Sequence, residues 1–297
     1  MSFPYLSETE DLTDSIRARV DGSFIRLPDG ICHYEFSPSL SGKEPGNRLV
    51  VLIHGFSVPY YIWDPTFDFL SRSGFRALRF DLFGRGYSDR PRANYDTSFF
   101  VRQLRDLLDA LNIKESIYLV GLSMGGAVAV NFTDLFPERV AKLILVDPAG
   151  AKAIQLSALG RLVNVPGLAE VFFGLMGDGN LLKGLAEDFF DPKLVEHFIE
   201  RYRPQMKFKG FKRSLISTLR NNALGDHSEA YRRVGALHKP TLIFWGRSDT
   251  TVPFEHSALV TDFIPHAEFH AIDGAGHIPH YEKPDVVNPL LLEFLNR

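Results

Sequence analysis

Three side chains from distant parts of the sequence, Ser123, Asp249 and His277, could together do nucleophilic chemistry. A serine hydroxyl at its ordinary pKa is a weak nucleophile, so a base must stand within hydrogen-bond reach and a third group must orient that base. Ser123 lies in Gly121-Leu122-Ser123-Met124-Gly125. His277 lies in the glycine-rich run Gly274-Ala275-Gly276-His277, and Asp249 in Trp245-Gly246-Arg247-Ser248-Asp249. In the expected scheme His277 takes the Ser123 proton and returns it to a leaving group, while Asp249 holds the imidazole tautomer and stabilises the imidazolium. Asp147, in Asp147-Pro148-Ala149-Gly150, is a competing acid because it too follows a strand-like run. His280 and Asp273 read as bystanders.

The elements that must position these groups can be read around Ser123. Ile117 to Val120 is a short apolar run suited to a buried strand, and Ala127 to Phe136 is a helix candidate that Pro137 would stop. A serine between them, with glycine two residues before and after, reads as a tight elbow that lifts its hydroxyl above the sheet. Further strands are expected at 23–27, 31–36, 49–53, 76–80, 143–146, 241–245 and 269–272. Helices are expected at 64–72, from Ser98 onward, 253–263 and 285–295. The spacing of Phe100, Leu104, Leu107, Leu108 and Leu111 marks the helix after Ser98 as amphipathic. Repeated strand–helix alternation implies a parallel sheet covered on both faces. Residues 37–47 read as a surface loop. The block from Ala151 to Gly225 interrupts the alternation and is rich in Leu and Phe, with Leu159, Leu162 and Val163 among its apolar positions. So long a stretch without structure would be unusual, so helices seated over the strand ends are expected.

On the Gly-x-Ser-x-Gly elbow, the order Ser123, Asp249, His277 and the His54-Gly55 pair after a strand, the chain resembles α/β-hydrolase fold serine hydrolases over about residues 22–294. Within them it is most similar to bacterial carboxylesterases and monoacylglycerol lipases. The resemblance implies an α/β architecture with a mostly parallel eight-stranded sheet, helices on both faces and a helical cap inserted after the sixth strand. The core would be 1–150 and 226–297, and the cap (lid) 151–225. It implies an oxyanion hole from the backbone N–H groups of Phe56 and Met124. It also leaves Asp147 open as the acid, since some members place it there. Asp81 to Asp89 matches a family loop in which Arg85, Ser88 and Asp89 are expected to make structural hydrogen bonds, and the ring of His54 is expected to be structural. The implied substrate is a small, lipophilic carboxylic ester. Carbon–carbon bond hydrolysis of a diketone is the alternative among enzymes, and a non-catalytic ligand receptor the alternative outside them.

Totals narrow the field. With 45% hydrophobic and 23% charged residues over 297, the composition is that of a globular chain, and a net charge of −3 supplies no field for nucleic acid. Cys32 is the sole cysteine, so no intrachain disulfide can form. No basic, apolar leader or long apolar span is read, so a cytoplasmic protein without stable membrane insertion is expected. No phosphate-cradling glycine motif and no zinc spacing is present, hence no cofactor and no metal are expected. Oligomeric state is not legible. The run from Arg201 to Arg213, with six basic residues and no acid, reads as a solvated helix face, with weak docking of the cap on an anionic lipid surface as the functional alternative.

Overall fold

The computed structural model describes residues 5–38, 49–153, 165, 167–175 and 177–297. Leu159, Leu162, Val163 and most of the loop expected at 37–47 lie outside the described residues. Eight strands make one sheet: β1 (Ser23–Leu27), β2 (Gly30–Phe36), β3 (Leu49–Ile53), β4 (Arg76–Phe80), β5 (Ile117–Leu122), β6 (Val140–Val146), β7 (Thr241–Gly246) and β8 (Glu268–Ile272). Their spatial order is β1-β2-β4-β3-β5-β6-β7-β8. The β1–β2 hairpin and the β2–β4 pair are antiparallel, and every other pairing is parallel.

The central strands are unbroken apolar runs because both of their faces are covered. In β3, Leu49, Val51 and Ile53 join one core while Val50 and Leu52 join another. The helices before the sixth strand are α1 (Asp14–Arg17), α2 (Asp64–Arg72), α3 (Thr97–Ala110) and α4 (Met124–Leu135). Those after it are α5 (Leu168–Leu175), α6 (Gly177–Glu187), α7 (Val195–Met206), α8 (Phe211–Arg220), α9 (Ser228–Ala236), α10 (His256–Phe263), α11 (Pro279–Glu282) and α12 (Pro284–Asn296). Helices α3, α4 and α9 cover the first core, and α2, α7 and α12 the second.

Several boundaries differ from the sequence reading, among them the helix expected from 253, which starts at His256, and two differ for visible reasons. Strand β6 begins at Val140 rather than Leu143, because the Lys142 that interrupts its apolar run buries its stem and donates from Nζ to the carbonyl of Phe294 at 2.7 Å. Helix α4 begins at Met124 rather than Ala127, since Gly125 and Gly126 hide its first turn in the sequence.

The basic run from Arg201 to Arg213 is a solvated face only in part: Arg203, Lys207 and Lys209 are exposed, and its other basic residues are buried or half-buried. Tyr202, Phe208, Phe211 and Lys212 are buried. Arg201 pairs with Asp64 at 2.6 Å, Lys209 with Asp11 at 2.7 Å and Lys212 with Asp178 at 2.8 Å. Arg213 donates to the carbonyls of Arg90 and Pro91. The counter-charges of Arg201, Lys209 and Lys212 come from α2, the chain's own N-terminal segment and α6, none of which local sequence can reveal.

Candidate active site

Strand β5 ends at Leu122 and α4 starts at Met124, leaving Ser123 alone at the turn with φ 55° and ψ −121°. A non-glycine residue in that region is strained, and it is held there by its neighbours. The Ser123 N–H donates to the Val146 carbonyl at 2.9 Å, while its own carbonyl accepts from Gly126 N and Ala127 N at 2.8 and 3.3 Å. The flanking glycines answer to close approach: a Cβ on Gly121 would sit 2.3 Å from the Gly125 carbonyl oxygen, and one on Gly125 2.4 Å from that of His54. No larger side chain fits either place.

His277 stands in the loop between β8 and α11, and Asp249 in the loop after β7. The Nδ1–H of His277 donates to Oδ2 of Asp249 at 2.7 Å, with both side chains buried. A carboxylate only accepts, so the proton sits on Nδ1 and the Nε2 lone pair is left as the free base. Asp249 is fixed in turn, its Oδ1 accepting from the backbone N–H groups of Thr251 and Val252 at 2.8 and 3.0 Å. Burial pulls the His277 pKa down, but the Asp249 carboxylate and, to a smaller extent, that of Asp188 outweigh it, so the imidazole is more basic than usual. Ser123 and His277 line the same cavity.

The other side of the cavity is built on the loop after β3. His54 is buried there. Its Nε2 accepts from the Leu82 N–H at 2.9 Å and its Nδ1–H donates to the Gly55 carbonyl at 2.9 Å, which fixes one neutral tautomer. Burial pushes its pKa down to about 4, so its ring is a loop brace that stays uncharged. Arg85 donates to the carbonyl of Phe56 at 2.7 Å, to that of Phe83 at 3.1 Å and to Oγ1 of Thr218 at 2.9 Å. Gln205 of α7 bridges the same region, donating to the Ser57 carbonyl at 3.0 Å and accepting from Gly86 N at 2.9 Å. Phe56 is thus held from behind. Met124 is the first residue of α4, so its N–H is one of the helix's unpaired donors and sits at the positive end of the helix dipole.

Several participants carried no sequence signal. Asp188, just after α6, accepts the His277 N–H on its carbonyl at 2.8 Å and the Thr251 hydroxyl on its Oδ1 at 2.6 Å. Glu282 in α11 accepts from Gly276 N, Phe190 N and Asp191 N at 2.7, 2.7 and 2.9 Å, tying the His277 loop to the segment after α6. Gln205 is equally silent in the sequence. Asp147, the residue after β6, lies beside Asp249 rather than replacing it as the partner of His277. Asp273 faces outward to Arg247 at 2.6 Å, and His280 is buried against Trp63 with ring centroids 4.2 Å apart. Asp81 accepts from His33 at 2.7 Å and from the N–H groups of Tyr60 and Tyr87, both at 2.9 Å, so the 81–89 loop is structural.

The cavity over Ser123 is about 250 Å³ and takes its walls from the loop after β3, from α6 and from α7. Comparison with known proteins agrees with this fold. The model of the alpha/beta hydrolase family matches residues 50–290. The 2-hydroxy-6-oxononadienedioate/2-hydroxy-6-oxononatrienedioate hydrolase 1 of Pseudomonas putida is 27% identical over 296 residues, 95% of this chain and 99% of that one. Among solved structures, a meta-cleavage product hydrolase of Pseudomonas fluorescens IP01 superposes with a TM-score of 0.74 at 28% identity, covering 93% of this chain and 97% of that one. A thermophilic esterase of Thermogutta terrifontis superposes at 0.76 with 26% identity, covering 93% and 98%. With the fold, the strained serine and the match over most of its length in agreement, the chain belongs to the alpha/beta hydrolase family and is a hydrolase.

Proposed function

We propose that this hydrolase cleaves carboxylic esters, of the carboxylesterase or monoacylglycerol-lipase type, through an acyl-enzyme on Ser123. The observation that carries the reading is the lining of its cavity. Phe56, Val58, Ile62, Leu181 and Phe189 give it apolar walls, Glu187 and Asp188 are its carboxylates, and no Lys or Arg lines it among the described residues. The dioate in the Pseudomonas putida relative's name brings two carboxylates. A charge of the same sign about 5 Å away costs about 3 kcal/mol at an effective dielectric near 20, and a buried carboxylate without a cation loses its hydration as well. A neutral ester meets neither penalty.

On this reading the Ser123 hydroxyl attacks the ester carbonyl as its proton passes to Nε2 of His277, and Asp249 stabilises the imidazolium. The resulting oxyanion is held by the N–H groups of Met124 and Phe56. Collapse expels the alcohol with the His277 proton, and a water deprotonated by His277 then releases the acid. Residues 151–225 act as the cap that supplies the outer wall. Carbon–carbon hydrolysis of a diketone is the second reading, favoured by the names of the relatives.

A panel of nitrophenyl esters and monoacylglycerols from two to sixteen carbons, run beside a 2-hydroxy-6-oxo dienedioate, decides between them. The compact cavity predicts that short neutral esters give the highest kcat/KM, about 100-fold or more above the dienedioate. The reverse order would overturn the ester reading. Ser123→Ala should lower ester hydrolysis by about 10⁴-fold or more and abolish labelling by a fluorophosphonate.

A further inference from the structure

The end of β6 brings a second carboxyl into the buried pocket of Asp249 and His277. One side-chain N or O atom from each of Asp147, Asp249 and His277 lies within 4.8 Å of the other two, and all three residues are buried. Oδ1 of Asp147 accepts from the Gly246 N–H at 2.9 Å. Its Oδ2 is fully buried and receives no hydrogen bond, and the polar group it meets is the Asp249 carboxylate. Asp249 spends Oδ1 on Thr251 N and Val252 N and Oδ2 on His277, which leaves a lone pair toward Asp147.

Two ionised carboxylates have only acceptors to offer each other, and in a dry site they repel. The surrounding charges make matters worse. Glu282 and Asp188 also face this pocket, against the single imidazole of His277. Glu282 is already matched to three backbone N–H groups and Asp188 to the Thr251 hydroxyl, so neither supplies a proton to the pair. Burial first, and Asp249 next, hold the Asp147 carboxyl well above the usual carboxylate range. Asp147 keeps its place with a φ of 42°, a left-handed conformation that Asp adopts more readily than most side chains.

We propose that Asp147 is a positioning residue of the reaction: its carboxylic acid donates a hydrogen bond to Asp249, fixing the rotamer that receives His277 and spreading the negative charge opposite the imidazolium. The inference rests on Ser123, Asp249 and His277 acting together as above.

The test pairs an infrared difference spectrum, wild type minus Asp147→Asn at neutral pH, with pH profiles of ester kcat/KM for Asp147→Asn and Asp147→Ala. The expected spectrum holds the C=O stretch of a protonated carboxyl that the amide removes. Asp147→Asn keeps a donor, so its rate should stay within about threefold of wild type with the acid limb unmoved. Asp147→Ala strips a hydrogen bond from a charged group, so its rate should fall about 10- to 100-fold. Its acid limb should move to higher pH, because Asp249 then pulls harder on the His277 proton. An ionised Asp147 would show no such band, and the Asn variant's acid limb would move to lower pH for want of a nearby negative charge; either result overturns the proposal. Loss of wild-type activity to a chelator would put a cation where the proton is assigned, and overturns it too. Should the band appear while Ser123→Ala still hydrolyses esters at the wild-type rate, the donor role stands and the catalytic reading of Ser123 falls.

Discussion

His277 works at a balance between burial, which disfavours its charged form, and the carboxylates of Asp249 and Asp188, which favour it more. A base must be neutral to accept a proton, so activity should rise only as pH passes a value above the usual 6.5 of histidine. Asp188→Asn removes one of the two anions and should move that acid limb to lower pH, by up to about one unit, in a pH profile of kcat/KM. Arg85 poses a different question. It is a buried cation whose three hydrogen bonds all go to neutral oxygens, and burial lowers its pKa to about 10. Its geometry serves the Phe56 peptide. Arg85→Lys cannot span the same three acceptors and should lower kcat about 10- to 100-fold with KM little changed, as steady-state kinetics would show. The residues legible in the sequence were those whose type is itself the signal: Ser123 between glycines, and His277 and Asp249 in loops after strands. Arg85 was legible only as a polar loop residue, because its acceptors at positions 56 and 218 are joined to it by folding alone.

Among the elements, the loop from Asp81 to Asp89 links the outer hairpin to the site. Asp81 is buried and takes hydrogen bonds from His33, Tyr60 and Tyr87, and Arg85 of the same loop reaches Phe56. Burial alone would raise the Asp81 pKa, but the hydrogen bond and charge of His33 and the Tyr60 N–H together hold it below the ordinary value. A carboxylate with a depressed folded pKa gives stability that is complete above its unfolded pKa near 4 and lost as pH falls through the folded value. Asp81→Ala leaves His33 buried without its partner and should destabilise the fold by about 3 kcal/mol or more in urea unfolding at pH 7. The difference from wild type should shrink in acid. Strands were readable because burial on two faces writes a continuous apolar run, as in Leu49 to Ile53. The segment from Arg201 to Arg213 was not, since three of its six charges are answered by Asp11, Asp64 and Asp178, and a basic run looks the same in sequence whether water or a distant aspartate faces it.

At the scale of the whole molecule, sheet register does the assembling. Leu122 on β5 pairs with Val146 on β6, and Val146 with Phe244 on β7, so Ser123 and Asp147 leave the sheet side by side while the β7 chain runs on to Asp249. A parallel sheet covered on both faces was foreseeable from the alternation of elements and its eight strands from the family resemblance, whereas the helices after β6 were foreseeable only as a kind: which of their side chains reach the site depends on packing between α6, α7 and the His277 loop. Glu282 makes that packing firm on one side, where three N–H groups converge on it. The turn at Ser123 has a consequence for the molecule's endurance. A backbone at φ 55° and ψ −121° suits glycine and strains any other residue by about 1–3 kcal/mol. Ser123→Gly should therefore raise the melting temperature by about 2–4 °C in calorimetry while hydrolysis disappears, and Ser123→Ala, which keeps a Cβ, should melt close to wild type. By that measure the chain would be most at ease without its nucleophile, and every working copy lives a little nearer to unfolding than its architecture demands.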